Sequence, residues 1–368
     1  MKYNIDKTNR PVYLQLYKQL REDIIGGVYA YDEKLPSKRL LADETGVSLI
    51  TVEHAYDLLC DEGYAEARTR RGYFVLFRSH DGFASTPEEV RKEPIPRMTS
   101  TESEFSLSIL SKTMRRVLTD YGEAILQKSP NTGLPLLREA IRRYLARNRG
   151  IFVSVEQIVL GSGAEYLYGL IVELLGRDKT YAIESPSYDK IEKIYHAAHV
   201  RCELLPLSED GIDSAALEKS TADVLHTTPY RSFPSGVTAS ATKRHEYIRW
   251  AQKNSRYIIE SDYGSEFSVA SQPPEPLFVL SDSDNVLYLN TFSKTVSPSL
   301  RVGYMVLPKH LVQLFFEKLG FYSCTVPTFE QYVLAELLNG GDFERHINRV
   351  RRKKRKEAEK SFQLGSYP

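Results

Sequence analysis

The residues of this chain best suited to chemistry are Thr291-Phe292-Ser293-Lys294, followed seven positions later by Arg301. A lysine in a turn at the end of an apolar strand, with a hydroxyl before it and an arginine after it, suits a Schiff base to a phosphorylated aldehyde. The same chain opens, over residues 11 to 77, with an unrelated pattern of the kind that reads DNA.

A lysine so placed needs a sheet to hold it. Short apolar runs at 157–160, 180–183, 202–205, 224–227, 257–259 and 286–289 alternate with helical segments. That alternation predicts an α/β domain, a mostly parallel sheet covered by helices, with ligands at the carboxyl ends of the strands. Polar clusters stand at those ends. Gly161-Ser162-Gly163-Ala164 opens a helix whose first amides suit a phosphate. It lacks the third glycine of a dinucleotide fingerprint, so a nicotinamide site is the poorer alternative. Residues 184–188, 228–236 and Glu260-Ser261-Asp262-Tyr263 follow three other runs. Taken singly these are ordinary turns, with Tyr188 and Tyr263 as packing aromatics. Their order with Lys294 and Arg301 is what suggests a pocket.

In the amino-terminal part, Val12, Leu16, Leu20 and Ile24 recur every four residues and stop at Gly26-Gly27, which predicts one amphipathic helix. Ser37 is placed to cap a second, carrying Leu40, Leu41 and Ala42; after Gly46, Ser48 is placed to cap a third. The third buries Val52, Ala55, Tyr56 and Leu59, leaving Ser48, Leu49, Thr51 and His54 near its start or on its outer face. Two short helices about a glycine turn, with polar residues at the exposed start of the second, form the helix-turn-helix arrangement that meets base edges. Gly63-Tyr64 and Gly72-Tyr73-Phe74-Val75 predict a two-stranded wing with a basic tip, Arg68-Thr69-Arg70-Arg71, suited to phosphates or the minor groove. The plain alternative is a small helical domain with a solvated arginine turn.

Composition bounds these readings. A chain of 368 residues has room for about two domains. Net charge is only +1, and residues 1 to 78 balance twelve Lys and Arg against twelve Asp and Glu, so DNA contact must come from a local patch. Cys60, Cys202 and Cys324 lack CxxC spacing, which argues against a disulfide framework or a metal site. With no apolar leader and no stretch of membrane-spanning length, cytoplasmic residence is expected. Residues 1–78 are expected as the DNA-binding domain, 79–104 as a linker rich in Ser, Thr, Pro, Glu and Arg, and 105–368 as the second domain.

The run from Pro11 to Leu16, Leu35-Pro36-Ser37-Lys38-Arg39, Gly46-Val47-Ser48, Thr51-Val52, Ala55-Tyr56 and Glu62-Gly63-Tyr64 resemble the winged helix of the GntR family of bacterial repressors. The resemblance adds Lys38 and Arg39 to the DNA-facing residues. Leu49 stands where that family usually has arginine; leucine can touch a thymine methyl but cannot grip guanine in a bidentate manner. The second domain resembles a fold-type I PLP-dependent aminotransferase, and the whole chain the MocR/GabR subfamily of GntR regulators. That implies pyridoxal 5′-phosphate as cofactor, with Lys294 as Schiff-base lysine and Ser162, Gly163, Ala164, Ser293 and Arg301 as its phosphate cup. It also implies Tyr188 as ring neighbour, Tyr263 as partner of the phenolic oxygen, and residues 131–138 at the pocket mouth and dimer seam.

The departures matter as much. The family's Asp-Asp-Tyr run supplies from its first Asp the carboxylate that keeps the pyridine nitrogen protonated, and here that position is Ser261. Because strand side chains alternate, Ser261 and Tyr263 are expected on one face and Asp262 on the other. Arg231-Ser232 replaces a His-Gln pair, and Lys190 stands near a common arginine. Relatives continue into a small domain bearing a carboxylate-gripping arginine, so that domain is expected to be missing after Pro368. The basic run 351–356 is expected as an exposed helix face rather than a DNA patch. The resemblance implies a homodimeric DNA-binding regulator that senses PLP or an amino acid. The alternative is a PLP-dependent aminotransferase with an appended DNA-binding domain.

Overall fold

The computed structural model describes residues 3, 5–6, 11–78, 105–268 and 274–364 and forms two compact units, 1–97 and 98–368. The expected linker, 79–104, lies outside the described residues.

In the first unit α1 (Val12–Ile25), α2 (Lys38–Thr45) and α3 (Leu49–Asp61) precede a hairpin of β1 (Ala65–Arg68) and β2 (Gly72–Val75). Leu16, Leu20 and Ile24 bury the stripe of α1 in one core with Val52, Ala55, Tyr56 and Leu59 of α3. Ser37 and Ser48 accept the N–H groups of Leu40 and Thr51 at 3.2 and 3.1 Å. Such caps contribute about 1 kcal/mol each by satisfying donors the helix cannot. Gly46 takes the left-handed turn between α2 and α3 at φ 64°. Leu40 of α2 is 51% exposed, while Leu41 and Ala42 are buried. One expectation changes. The first wing strand starts at Ala65, which puts Arg68 inside it and not at the tip.

The second unit is an eight-stranded sheet in the order β3-β10-β9-β8-β7-β4-β5-β6. Its strands are β3 (Ile158–Gly161), β4 (Thr180–Ser185), β5 (Arg201–Ser208), β6 (Gly211–Ile212), β7 (Val224–Thr227), β8 (Tyr257–Ser261), β9 (Val286–Thr291) and β10 (Gly303–Val306). β9, β8, β7, β4 and β5 run parallel. β10 is antiparallel to both β3 and β9, and β6 is antiparallel to β5. Neither β6 nor β10 was expected. Around the sheet stand α4 (Leu107–Tyr121), α5 (Pro135–Arg149), α6 (Ala164–Leu175), α7 (Asp189–Ala197), α8 (Ser214–Lys219), α9 (Ala241–Lys253), α10 (Leu277–Leu280), α11 (Lys309–Leu319), α12 (Thr328–Asn339) and α13 (Asp342–Leu364).

Strand alternation divides the core. Ile183, Ile259 and Leu287 pack with Leu167, Tyr195 and Phe315 of α6, α7 and α11. Their neighbours Ala182, Ile258 and Val286 pack with Tyr247 and Trp250 of α9. β10 matters most for the site. A side chain at Gly303 would lie 3.2 Å from Gly163 and from the Asn290 carbonyl, so this strand draws the loop after β3 and the turn after β9 together. No described helix is long and apolar enough to cross a membrane.

Candidate functional site

The carboxyl ends of the strands enclose a cavity of about 430 Å³ lined by Ala164, Glu165, Tyr168, Tyr188, Ile191, Thr228, Arg231, Phe233, Ser261, Tyr263, Thr291, Ser293, Lys294, Pro298 and Arg301. Of the residues expected there, Lys294, Tyr263, Tyr188, Ala164, Ser293, Arg301 and Ser261 meet in its wall. Lys294 Nζ sits 4.6 Å from the centre of the Tyr263 ring. A Cβ on Gly264, itself at φ 88°, would come within 3.2 Å of that nitrogen, so this backbone approach favours glycine.

At the opposite end Arg301 leans on Gly163, where a Cβ would meet Nη2 at 3.0 Å. Ser293 Oγ donates to the Leu300 carbonyl at 2.9 Å, tying the lysine turn to the segment before Arg301. The amide of Ser162 donates to Thr325 Oγ1 at 3.0 Å and that of Gly163 to the Gly161 carbonyl at 2.7 Å. Neither residue lines the cavity. Both amides are satisfied within the chain, whereas Ala164, Ser293 and Arg301 line the cavity. One wall residue went unread: Glu165, in the first turn of α6, bonds Lys190 Nζ at 2.7 Å and Arg301 Nη2 at 3.2 Å. The Lys190 hydrogen bond holds its carboxyl below the usual range, so a fixed negative charge competes for Arg301. Replacing Glu165 by Gln is therefore expected to tighten inorganic phosphate binding severalfold, as read by calorimetry.

Ser261 and Tyr263 face the cavity, while Asp262 points away and accepts from Tyr288 at 2.6 Å and Arg149 at 2.8 Å. Ser261 Oγ lies 2.8 Å from His226 Nε2 and 3.2 Å from the Tyr168 hydroxyl. Burial pushes the imidazole down to about 3, so among the described residues neither hydrogen-bond partner of the serine brings it a charge. His226 was also missed. Its only signal was a histidine inside the apolar run 224–227, a pattern ordinarily read as a satisfied core residue.

Arg231 lines the cavity from an exposed turn at φ 49°. Residues 131–138 do not line it. Asn131 donates to the Gly320 carbonyl, Leu134 to Gln331, and Arg138 to Ile158, so within the chain the segment fastens β3 and α12. In the basic run, Arg351 donates to the Glu266 carbonyl and Lys354 covers Phe267.

In the first unit the start of α3 presents Ser48, Leu49 and His54 to solvent, with Thr51 half-buried beside Ser48. Ile50 joins them at 64% exposure and was not read. Lys38 is paired with Glu53, bracing α2 on α3, while Arg39 is exposed. Arg68 is held by Asp32 and Glu66 and stacks on Phe74, which makes it a brace of the wing. Arg70, at φ 61°, and Arg71 form the exposed tip. Arg70→Ala should lower the salt dependence of DNA binding by about one unit of slope, whereas Arg68→Ala should act mainly on wing stability. Unchanged anisotropy titrations at low and high salt for Arg70→Ala would remove the tip from the interface.

Residues 12–75 match the family of bacterial regulatory proteins named gntR, and residues 103–363 match aminotransferase class I and II. The chain belongs to the class of DNA-binding transcriptional regulators that join a GntR helix-turn-helix to an aminotransferase-like domain. It is 32% identical to the HTH-type transcriptional regulator YdeL of Bacillus subtilis (strain 168), over 94% of this chain and 77% of that protein. Identity is 27% to the probable rhizopine catabolism regulatory protein MocR of Rhizobium meliloti, over 93% and 74%. It is 28% to the HTH-type pyridoxine biosynthesis transcriptional regulator PdxR of Corynebacterium glutamicum, over 92% and 75%. Among solved structures the fold is similar to Pyrococcus horikoshii kynurenine aminotransferase in complex with PMP, with TM-score 0.63, 25% identity and coverage of 69% and 66%. It is also similar to LysN, the α-aminoadipate aminotransferase of Thermus thermophilus, with TM-score 0.61, 26% identity and the same coverage. This chain thus spans about three quarters of the curated relatives and about two thirds of the solved aminotransferases.

Proposed function

We propose that this regulator senses pyridoxal 5′-phosphate or an amino-acid-type effector in the cavity around Lys294, and reads operator DNA as a homodimer through the start of α3 and the wing tip. The residues present fit the cofactor: glycines at 163 and 264 leave the close approaches that a Cβ would fill beside Arg301 and Lys294. Lys294 would hold it covalently, Ala164, Ser293 and Arg301 its phosphate, and Tyr188 would flank its ring. Bound in this way, the group would supply an electrophilic carbon for an incoming amine. Arg231, in the same wall, offers a guanidinium for an effector carboxylate. A two-fold dimer meeting paired half-sites is the geometry such motifs use.

The observation that carries sensing over turnover is Ser261. Its neighbours are a neutral imidazole and a phenol, and none of them supplies the negative charge that would keep a ring nitrogen protonated. Carbanion chemistry needs that protonated ring as an electron sink. Wild-type protein with PLP and a panel of amino acids is expected to shift its operator affinity while releasing no keto acid, and Ser261→Asp to gain measurable keto acid release. Multiple turnovers by the wild type, at a rate matching Ser261→Asp, would move the chain to the enzyme class.

A further inference from the structure

Behind the cavity wall, three buried side chains are connected in series. The hydroxyl of Tyr195, on α7, lies 2.8 Å from His226 Nδ1. His226 Nε2, on β7, lies 2.8 Å from Ser261 Oγ. Both Tyr195 and His226 are buried, and the rings against the imidazole are phenols, Tyr168 at 4.7 Å and Tyr195 at 5.8 Å, both edge-on.

A neutral imidazole has one donor nitrogen and one acceptor, and its partners decide which is which. Among the described residues, the Tyr195 hydroxyl has His226 Nδ1 as its partner. A buried hydroxyl hydrogen with no acceptor costs about 1–3 kcal/mol, so Tyr195 donates to Nδ1. The proton of the ring then sits on Nε2, and that N–H donates to Ser261 Oγ. A serine hydroxyl has one hydrogen and two acceptor positions. The Tyr168 hydroxyl, itself buried, has Ser261 Oγ as its partner among the described residues, so the same cost of an orphaned hydrogen makes it the donor there. With His226 on one acceptor position and Tyr168 on the other, the serine hydrogen is turned to the cavity that Ser261 lines.

We propose that Tyr195 and His226 are positioning residues which, through a fixed imidazole tautomer, hold the Ser261 hydroxyl as a hydrogen-bond donor into the cavity, so that the pocket receives a ligand ring through an unprotonated, acceptor nitrogen. The ligand half of this inference rests on the cofactor reading above, while the tautomer half does not.

The test begins with the ligand-free full chain carrying ¹⁵N-labelled histidine. Two-bond correlation spectra distinguish the tautomers, and the His226 signals are those lost in His226→Gln. The expected result is a neutral ring protonated on Nε2 in mildly acidic buffer, with that preference lost in Tyr195→Phe. A ring protonated on Nδ1, a charged ring, or a Tyr195→Phe spectrum identical to wild type would each overturn the assignment. A second arm loads the protein with ring-¹⁵N pyridoxal 5′-phosphate. The nitrogen is expected at the unprotonated shift in wild type and moved toward the protonated shift in Ser261→Asp; a protonated nitrogen in wild type would refute the proposal. Failure to take up the probe would refute the cofactor reading and leave the histidine result standing on its own spectrum.

Discussion

Replacing Lys294 by Ala is expected to abolish covalent capture of pyridoxal 5′-phosphate, a loss of several orders of magnitude in retained label, while leaving operator affinity within about twofold. The first effect follows from chemistry: the ε-amine is the one primary amine among the residues lining the cavity, and a Schiff base needs such an amine. The second follows from placement, because the residues proposed to face DNA all belong to the unit 1–97 and Lys294 to the unit 98–368. Borohydride reduction followed by peptide mapping measures the first, and anisotropy on operator DNA the second. Label retained in the variant would show that another amine captures the ligand. Loss of DNA binding in a folded variant would contradict the modular reading.

Arg149→Ala is expected to destabilise the second unit by about 3–5 kcal/mol, because it strands a buried carboxylate. Arg149, in the last turn of α5, is 6% exposed and sits 2.8 Å from Asp262, which is 2% exposed. The pair couples α5 to the end of β8, on the face opposite Ser261. Trp250 is the single tryptophan of the chain and is buried in the second unit, so its fluorescence during urea unfolding reports that unit. The effect also has a pH signature. Burial pushes the Glu260 carboxyl up from 4.5 to about 7, Asp262 adds to the shift, and Arg149 opposes it. A carboxylate whose folded pKa is raised is free of penalty below its unfolded value and costs stability as pH rises from there through the folded one. Without Arg149 that pKa climbs further, so the deficit of the variant should widen as pH rises through about 7. A deficit under about 1 kcal/mol would mean that Asp262 finds another partner.

Local chemistry carried the sequence reading furthest. The four-residue stripe of α1, the capping serines at 37 and 48, and Gly46 each act within a few residues, so the helix-turn-helix was legible before any tertiary contact. The parallel strands were legible for a related reason. Strands buried on both faces read as continuous apolar runs, and at or just beyond their ends stood Tyr188, Ser261, Tyr263, Lys294 and Arg301, in that order. What escaped was set by elements distant in sequence. β10 is a short apolar run like any other until it is inserted between β3 and β9, and only then does Arg301 meet Gly163. Glu165 becomes a competitor for Arg301 only once the start of α6 faces that strand. The amide of Ser162 looked available because its partner, Thr325, lies 163 residues further along the chain. Arg68 looked like a phosphate contact until Asp32, 36 residues away, was seen to hold it. Residue types and local patterning were enough to pick out the candidate reactive side chains and the strand ends that carry them. Which of their hydrogen-bonding groups are already satisfied depends on packing between distant segments, because a donor or a charge is available to a ligand only where other parts of the chain have not claimed it first.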